Sequence, residues 1–141
     1  MNVIDSYVSA GRFHFGVEPY DLVSVLGEPI RKDKNRLGET VVRYEGFGVT
    51  IAARGVVEVY FLPVSSVSMR GIDVFNDPQA FVKLCKLDGD PREYMGFIVL
   101  LNLGITMTGF HDHDESQKAI TAFERGRWDH LEGKLQRYLV N

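Results

Sequence analysis

Residues 47–51 read FGVTI and residues 103–107 read LGITM. Both run apolar, glycine, β-branched, threonine, apolar. Such residues suit a pleated, half-buried surface, so each segment favours a strand over a helix. The flanks agree. VVRYEG (41–46) precedes the first segment and FIVLLN (97–102) the second, while GVVEVYFLP (55–63) and KAITAFERG (118–126) follow them. All four are β-branched or alternating, as strands are, and EGFG and NLG provide glycine-bearing turns between the first two strands of each set. A positive φ is the expected use of Gly48 and Gly104.

A helical pattern stands before each set. In PYDLVSVLG (19–27), Pro19 suits a first turn, Gly27 a stop, and Leu22, Val23, Val25 and Leu26 an apolar face. In NDPQAFVKLCKLDG (76–89), Asn76 or Asp77 can cap, Pro78 opens and Gly89 ends the helix, with Phe81, Val82, Leu84 and Cys85 inward. Each half thus reads as a helix and three antiparallel strands, a tandem pseudo-repeat over about 17–63 and 76–126. The C-terminal WDHLEGKLQRYLVN spaces Trp128, Leu131, Leu135 and Tyr138 or Leu139 as a helix would, against the weakening effect of Gly133. DSYVSAGRFHFG near the start suits one helical turn before a connection, and RKDKNR at 31–36 suits a loop. Nothing linker-like separates the halves beyond VSSVSMRG at 64–71. The expectation is one α+β domain over 1–141, an antiparallel sheet with short helices packed on one side.

Composition narrows the function classes. With 45% hydrophobic and 25% charged residues the chain has ordinary globular usage, and 141 residues suffice for a core without a covalent staple. One cysteine, Cys85, excludes a disulfide framework and a cysteine-rich zinc site; inside FVKLCKL it reads as a buried, inert thiol. A net charge of −3 argues against a nucleic-acid partner, and no basic amphipathic helix suggests a membrane surface. The opening MNVIDSYVSAGRFHFG lacks the basic start and apolar stretch of a secretory signal, and the apolar run MGFIVLLNLGITMTGF is short and interrupted for a membrane helix. A soluble cytoplasmic protein is the expectation.

The chemistry-bearing residues concentrate in one place: His111, Asp112, His113, Asp114 and Glu115 are consecutive. In a strand His111 and His113 would share a face, a usable start for a zinc site, but a third ligand is needed and the remaining imidazoles are His14 and His130. HDHDESQKAITA lacks the central glycine and final glutamate of a calcium loop, and no HExxH occurs. Lying between two strand patterns, the stretch reads as a polar connection first, a protein-contact loop second, and a metal or catalytic site third. Ser65, Ser66 and Ser68 have no nucleophile elbow, His14 sits between aromatics, and Asp88 and Asp90 fall in a turn. The residues therefore indicate no catalytic set, no cofactor and no metal.

The order of motifs, a helix ending LGEP, then YEGFGVTI and VEVYF, a second helix, LGITM and finally GRW, resembles the immunity proteins of bacterial polymorphic-toxin systems, contact-dependent growth inhibition immunity proteins in particular. The resemblance spans about residues 11 to 129, on small glycine-based motifs. It implies a cytoplasmic protein that binds a cognate toxin domain, often a nuclease, and blocks it without catalysis. Toxin nucleases bind phosphate chains and so present cationic clefts, which loop carboxylates can fill. The His111–Glu115 loop is the first candidate for that contact; Arg92 with Glu93, and EPIRKDKNR at 28–36, are the second. A looser resemblance joins the tandem helix–three-strand units of β-lactamase inhibitory and small outer-membrane-assembly proteins, which are exported. A non-catalytic adaptor remains an alternative, as does a small metal-dependent hydrolase using His111, Asp112, His113 and Asp114. Oligomeric state is open.

Overall fold

Short β-branched runs separated by glycine turns build almost everything in this chain. The computed structural model describes residues 1–140. In chain order come β1 (Asn2–Asp5), β2 (Ser9–Ala10), β3 (Phe13–His14), α1 (Leu22–Leu26), β4 (Arg31–Lys34), β5 (Thr40–Tyr44), β6 (Phe47–Ala52), β7 (Gly55–Phe61), β8 (Val67–Met69) and β9 (Ile72–Asp73). Then follow α2 (Ala80–Asp88), β10 (Arg92–Tyr94), β11 (Phe97–Leu100), β12 (Ile105–Thr108), β13 (Ala119–Phe123) and β14 (Gln136–Arg137), with 3₁₀ turns at Glu115–Gln117 and Asp129–Lys134. The fold is α+β and mostly antiparallel sheet.

Nine strands form one sheet in the order β14-β10-β11-β12-β13-β7-β6-β5-β4. Its central joint is the antiparallel β13–β7 pair, which sets Ile120 beside Phe61 and Ala122 beside Val59. Period-two alternation sends Val49, Val59, Phe61, Ile98, Leu100, Ile105, Met107, Ile120 and Ala122 to one face. A second sheet, β3-β2-β1-β8-β9, and α2 cover that face with Ile4, Ala10, Phe13, Val67, Met69, Leu84 and Cys85. On the other face a row of cross-strand neighbours runs Val99, Thr106, Thr121, Tyr60, Gly48, Arg43 and Arg31. Trp128 packs there, edge-on to Tyr94 and Phe97 and tilted against Phe123.

Several expectations need correction. In the large sheet four strands (β4–β7) follow α1 and five (β10–β14) follow α2, because Arg31–Lys34 is an edge strand, Arg92–Tyr94 a further one and Gln136–Arg137 pairs with it; the helix–three-strand pseudo-repeat is not seen. The charges of β4 suit an edge that must not recruit another strand. The N-terminal stretch forms three strands of the second sheet instead of a helical turn, and VSSVSMRG contributes β8 to it. The C-terminal helix is a 3₁₀ segment followed by β14, with Gly133 inside the 3₁₀ turns. Asn141, the last residue of the expected domain, lies outside the described residues. Gly48 is an ordinary strand residue; a Cβ there would stand 2.0 Å from the Tyr60 ring, so close approach and not φ requires it. Gly46, φ 84°, makes the β5–β6 turn, and Gly104, φ 73°, does behave as expected.

The two helices differ. In α2, Gly89 in the left-handed region closes the helix on the Cys85 carbonyl as expected, but the helix starts at Ala80 with Gln79 at its N-cap, past the expected Asn76 or Asp77 cap and Pro78 opening; Ala80, Leu84, Cys85 and Asp88 are buried. Phe81 and Val82, read as inward, are half-buried. In α1, with Gly27 at its end, no residue is buried: Leu22 and Leu26 touch the core partly, while Val23 and Val25 are exposed. Among the described residues no helix is long and apolar enough to cross a membrane.

Candidate functional site

The His111–Glu115 stretch connects β12 to β13 at the end of the large sheet that also carries the Met95–Gly96 turn between β10 and β11. It is a turn with a left-handed His113, φ 56°, and not a strand, so its two histidines do not share a face. The imidazole of His111 turns inward, its side chain 11% exposed, against Phe81 and edge-on to Tyr138. Its Nε2 lies 3.8 Å from Glu93 Oε2, and its buried Nδ1 has no hydrogen-bond partner among the described residues. Packing therefore places this ring. Asp112, His113, Asp114 and Glu115 all face solvent.

The loop is well held despite its exposure. Asp114 Oδ1 accepts the Ser116 amide at 3.1 Å and caps the 3₁₀ turn, as short polar residues do at helix starts. Thr108 Oγ1 donates to the Gln117 carbonyl at 2.7 Å, and a Cβ on Gly109 would stand 2.5 Å from the Asp114 carbonyl oxygen. Lys118 Nζ lies 3.2 Å from Glu115 Oε1, and Glu115 remains 77% exposed. Three carboxylates thus project from an ordered turn. At the same end of the sheet Met95, in the β10–β11 turn, is 80% exposed, while Arg92 is tied to Asp90 at 2.9 Å. Residues 28–36, the other candidate, lie along the β4 edge, where Arg31 and Arg43 bracket Asp33 at 2.9 and 3.6 Å.

A second polar constellation lies at the opposite end of the sheet. Arg127 donates to both oxygens of Glu39 at 2.7 and 2.8 Å and reaches Glu58 at 3.5 Å. The Arg127 hydrogen bonds hold the Glu39 carboxyl down to about 2, a bond from Asn35 adding to them, while burial pushes Glu58 upward. Next to it, Arg54, Glu124 and His130 help line a depression of about 970 Å³. Each carboxylate and guanidinium named here is already paired, so the arrangement fastens the segment that begins at Glu124 over the sheet. Sequence reading missed it. The available signal was Glu58 as a lone charge in GVVEVYF.

The remaining expected groups scatter. His14 is an exposed strand residue, and Ser65 Oγ donates to the Gly46 carbonyl. Asp88 is buried and accepts the Leu103 and Asp90 amides, fastening α2 to the β11–β12 turn instead of forming part of an open turn. Cys85 is buried, and that burial pushes its thiol up to about 12, far from a reactive thiolate at neutral pH. Among the described residues no three His, Cys, Asp or Glu side chains stand together as a metal ion would require. Comparison with protein-family models, curated proteins and solved structures finds no match.

Proposed function

We propose that this chain is a toxin-neutralising immunity protein: in the cytoplasm it binds a cognate toxin domain, a nuclease, and covers its active site without catalysing anything itself. The observation that carries this reading is the 111–115 turn, whose inward His111 and capped 3₁₀ segment hold Asp112, Asp114 and Glu115 toward solvent at the sheet end that also carries the exposed apolar Met95. Apolar anchors rimmed by acidic groups suit a cationic cleft: the anchors supply affinity and the carboxylates steer association. A metal-dependent hydrolase has less support, because His111 is turned away from Asp112, His113 and Asp114.

One observation favours the adaptor reading. Val17, Tyr20, Val23, Val25 and Ile30 are all exposed on or within a few residues of α1. An adaptor would use these residues and leave the acidic turn idle.

The test is co-expression with the toxin domain encoded beside this chain, scored by survival. The unaltered chain is expected to rescue growth. Changing Asp112, Asp114 and Glu115 together to alanine is expected to slow association about tenfold or more at low salt and to reduce rescue. Full rescue by the triple variant would remove the turn from the interface, and absence of rescue by the unaltered chain would overturn the toxin reading in favour of the adaptor.

A further inference from the structure

Between the start of α2 and the β12–β13 connection is a cavity of about 340 Å³ whose walls include Phe75, Phe81 and Phe110. Phe110 lies nearly parallel to both neighbouring rings, its centroid 5.9 Å from Phe75 at 22° and 6.3 Å from Phe81 at 15°. Carboxylates stand at the rim on Asp77 and Glu115. The volume sits at the lower end of the range for ligand sites, about 300 to 1,000 Å³, so it suits one side chain better than a cofactor.

The chain already supplies cations to this place. Lys118 Nζ lies 4.8 Å from the Phe110 centroid and 3.2 Å from Glu115 Oε1, with its side chain only 19% exposed. Lys83 Nζ lies 2.6 Å from Asp77 Oδ2. The free amides of the first α2 turn would oppose a cation, but Asp77 Oδ1 accepts the Gln79 amide at 2.8 Å and offsets them. Aromatic faces and carboxylates both attract positive charge, and both hold it here.

We propose that this cavity is the receptor for a basic side chain of the protein partner, an arginine by preference, and that Lys118 is its intramolecular placeholder. The identity of the partner rests on the toxin-binding reading above; the chemistry of the pocket does not. A planar guanidinium can stack on Phe110 and at the same time bond Glu115, which the point charge of a lysine does less well. Arrival of the arginine displaces the Lys118 ammonium to solvent, so no buried charge is left unpaired. Placed against the acidic turn, the pocket would make the anchored centre of an interface whose carboxylates form the rim.

The test needs no toxin. Amide and aromatic NMR spectra of the full chain are followed during titration with Nα-acetyl-arginine amide and, separately, with the isosteric neutral Nα-acetyl-citrulline amide. Saturable shifts at Gly109, Phe110 and Lys118 with the arginine compound, and a response at least about threefold weaker with citrulline, are expected. Lys118→Met, which frees the ring, is expected to tighten binding about two- to fivefold, and Phe110→Leu to abolish it, the spectrum of each variant reporting its own fold. No saturable shift, shifts that spare Phe110 and Lys118, an equal response to citrulline, or unchanged affinity in Lys118→Met would each overturn the proposal. Binding of the arginine compound together with failed rescue would leave the pocket standing and remove only the toxin.

Discussion

At the residue scale, the best-defined electrostatic contact is Arg127 between Glu39 and Glu58. Glu39 is buried and its carboxyl is lowered from the ordinary 4.5 to about 2, chiefly by the Arg127 hydrogen bonds. A lowered folded value means stability present above the unfolded value and lost as pH falls from about 4.5 toward about 2. Glu58 runs the other way: raised by burial, it favours the fold most when protonated, and its contribution declines as pH climbs through its raised value. Glu39→Gln is therefore expected to cost ~1.5–3 kcal/mol in urea unfolding at neutral pH, the range for a hydrogen bond to a charged group, and less in acid. A penalty that stays constant with pH would show that the Glu39 charge is not what Arg127 recognises. Little of this contact is legible along the chain, since its partners are 88 positions apart.

At the scale of elements, the acidic turn depends on one ring. His111 fills the space between Phe81 and Tyr138, so it couples the β12–β13 connection to α2 and to the segment after β14. His111→Ala opens a void there and is expected to cost ~1–3 kcal/mol. Amide exchange should rise from Gly109 to Lys118 while the centre of β13 stays protected. Unchanged exchange would mean that the Asp114 cap and the Thr108 hydrogen bond hold the turn without the ring. This turn was partly legible: its polar composition and its place between two strand patterns mark a connection. Which of its five polar residues would point inward was not, because that choice depends on Phe81 and Tyr138 arriving from elsewhere. The helices show the same division. Gly27 and Gly89 do end α1 and α2, since a left-handed or otherwise strained residue is a local requirement. The burial of one apolar face and the exposure of the other were decided by what packs above them.

At the scale of the whole molecule, the β7–β13 pair joins the two expected halves into one nine-stranded sheet, and the second sheet packs across it. A core shared this widely predicts one cooperative unfolding transition. Trp128 is the single tryptophan and packs on the face opposite the second sheet, so its fluorescence reports one side of the large sheet while far-ultraviolet circular dichroism reports both sheets. The two urea curves are expected to coincide. Separate midpoints would show that the second sheet or one flank of the large sheet unfolds alone.

Strands, turns and helix stops were determined by the sequence itself: β5, β6, β7, β11, β12, β13 and the C-terminal end of α2 follow from alternation, β-branching and glycine, all of which act within a few residues. The tertiary structure alone decided that the N-terminal stretch pairs with β8 in a second sheet, that Arg31–Lys34 becomes an edge strand, that Gly48 lies beneath Tyr60, and that Phe75, Phe81 and Phe110 stack beside the acidic turn. These are contacts between segments distant in the chain, and their free energy comes from surfaces that exist only after the sheets have met.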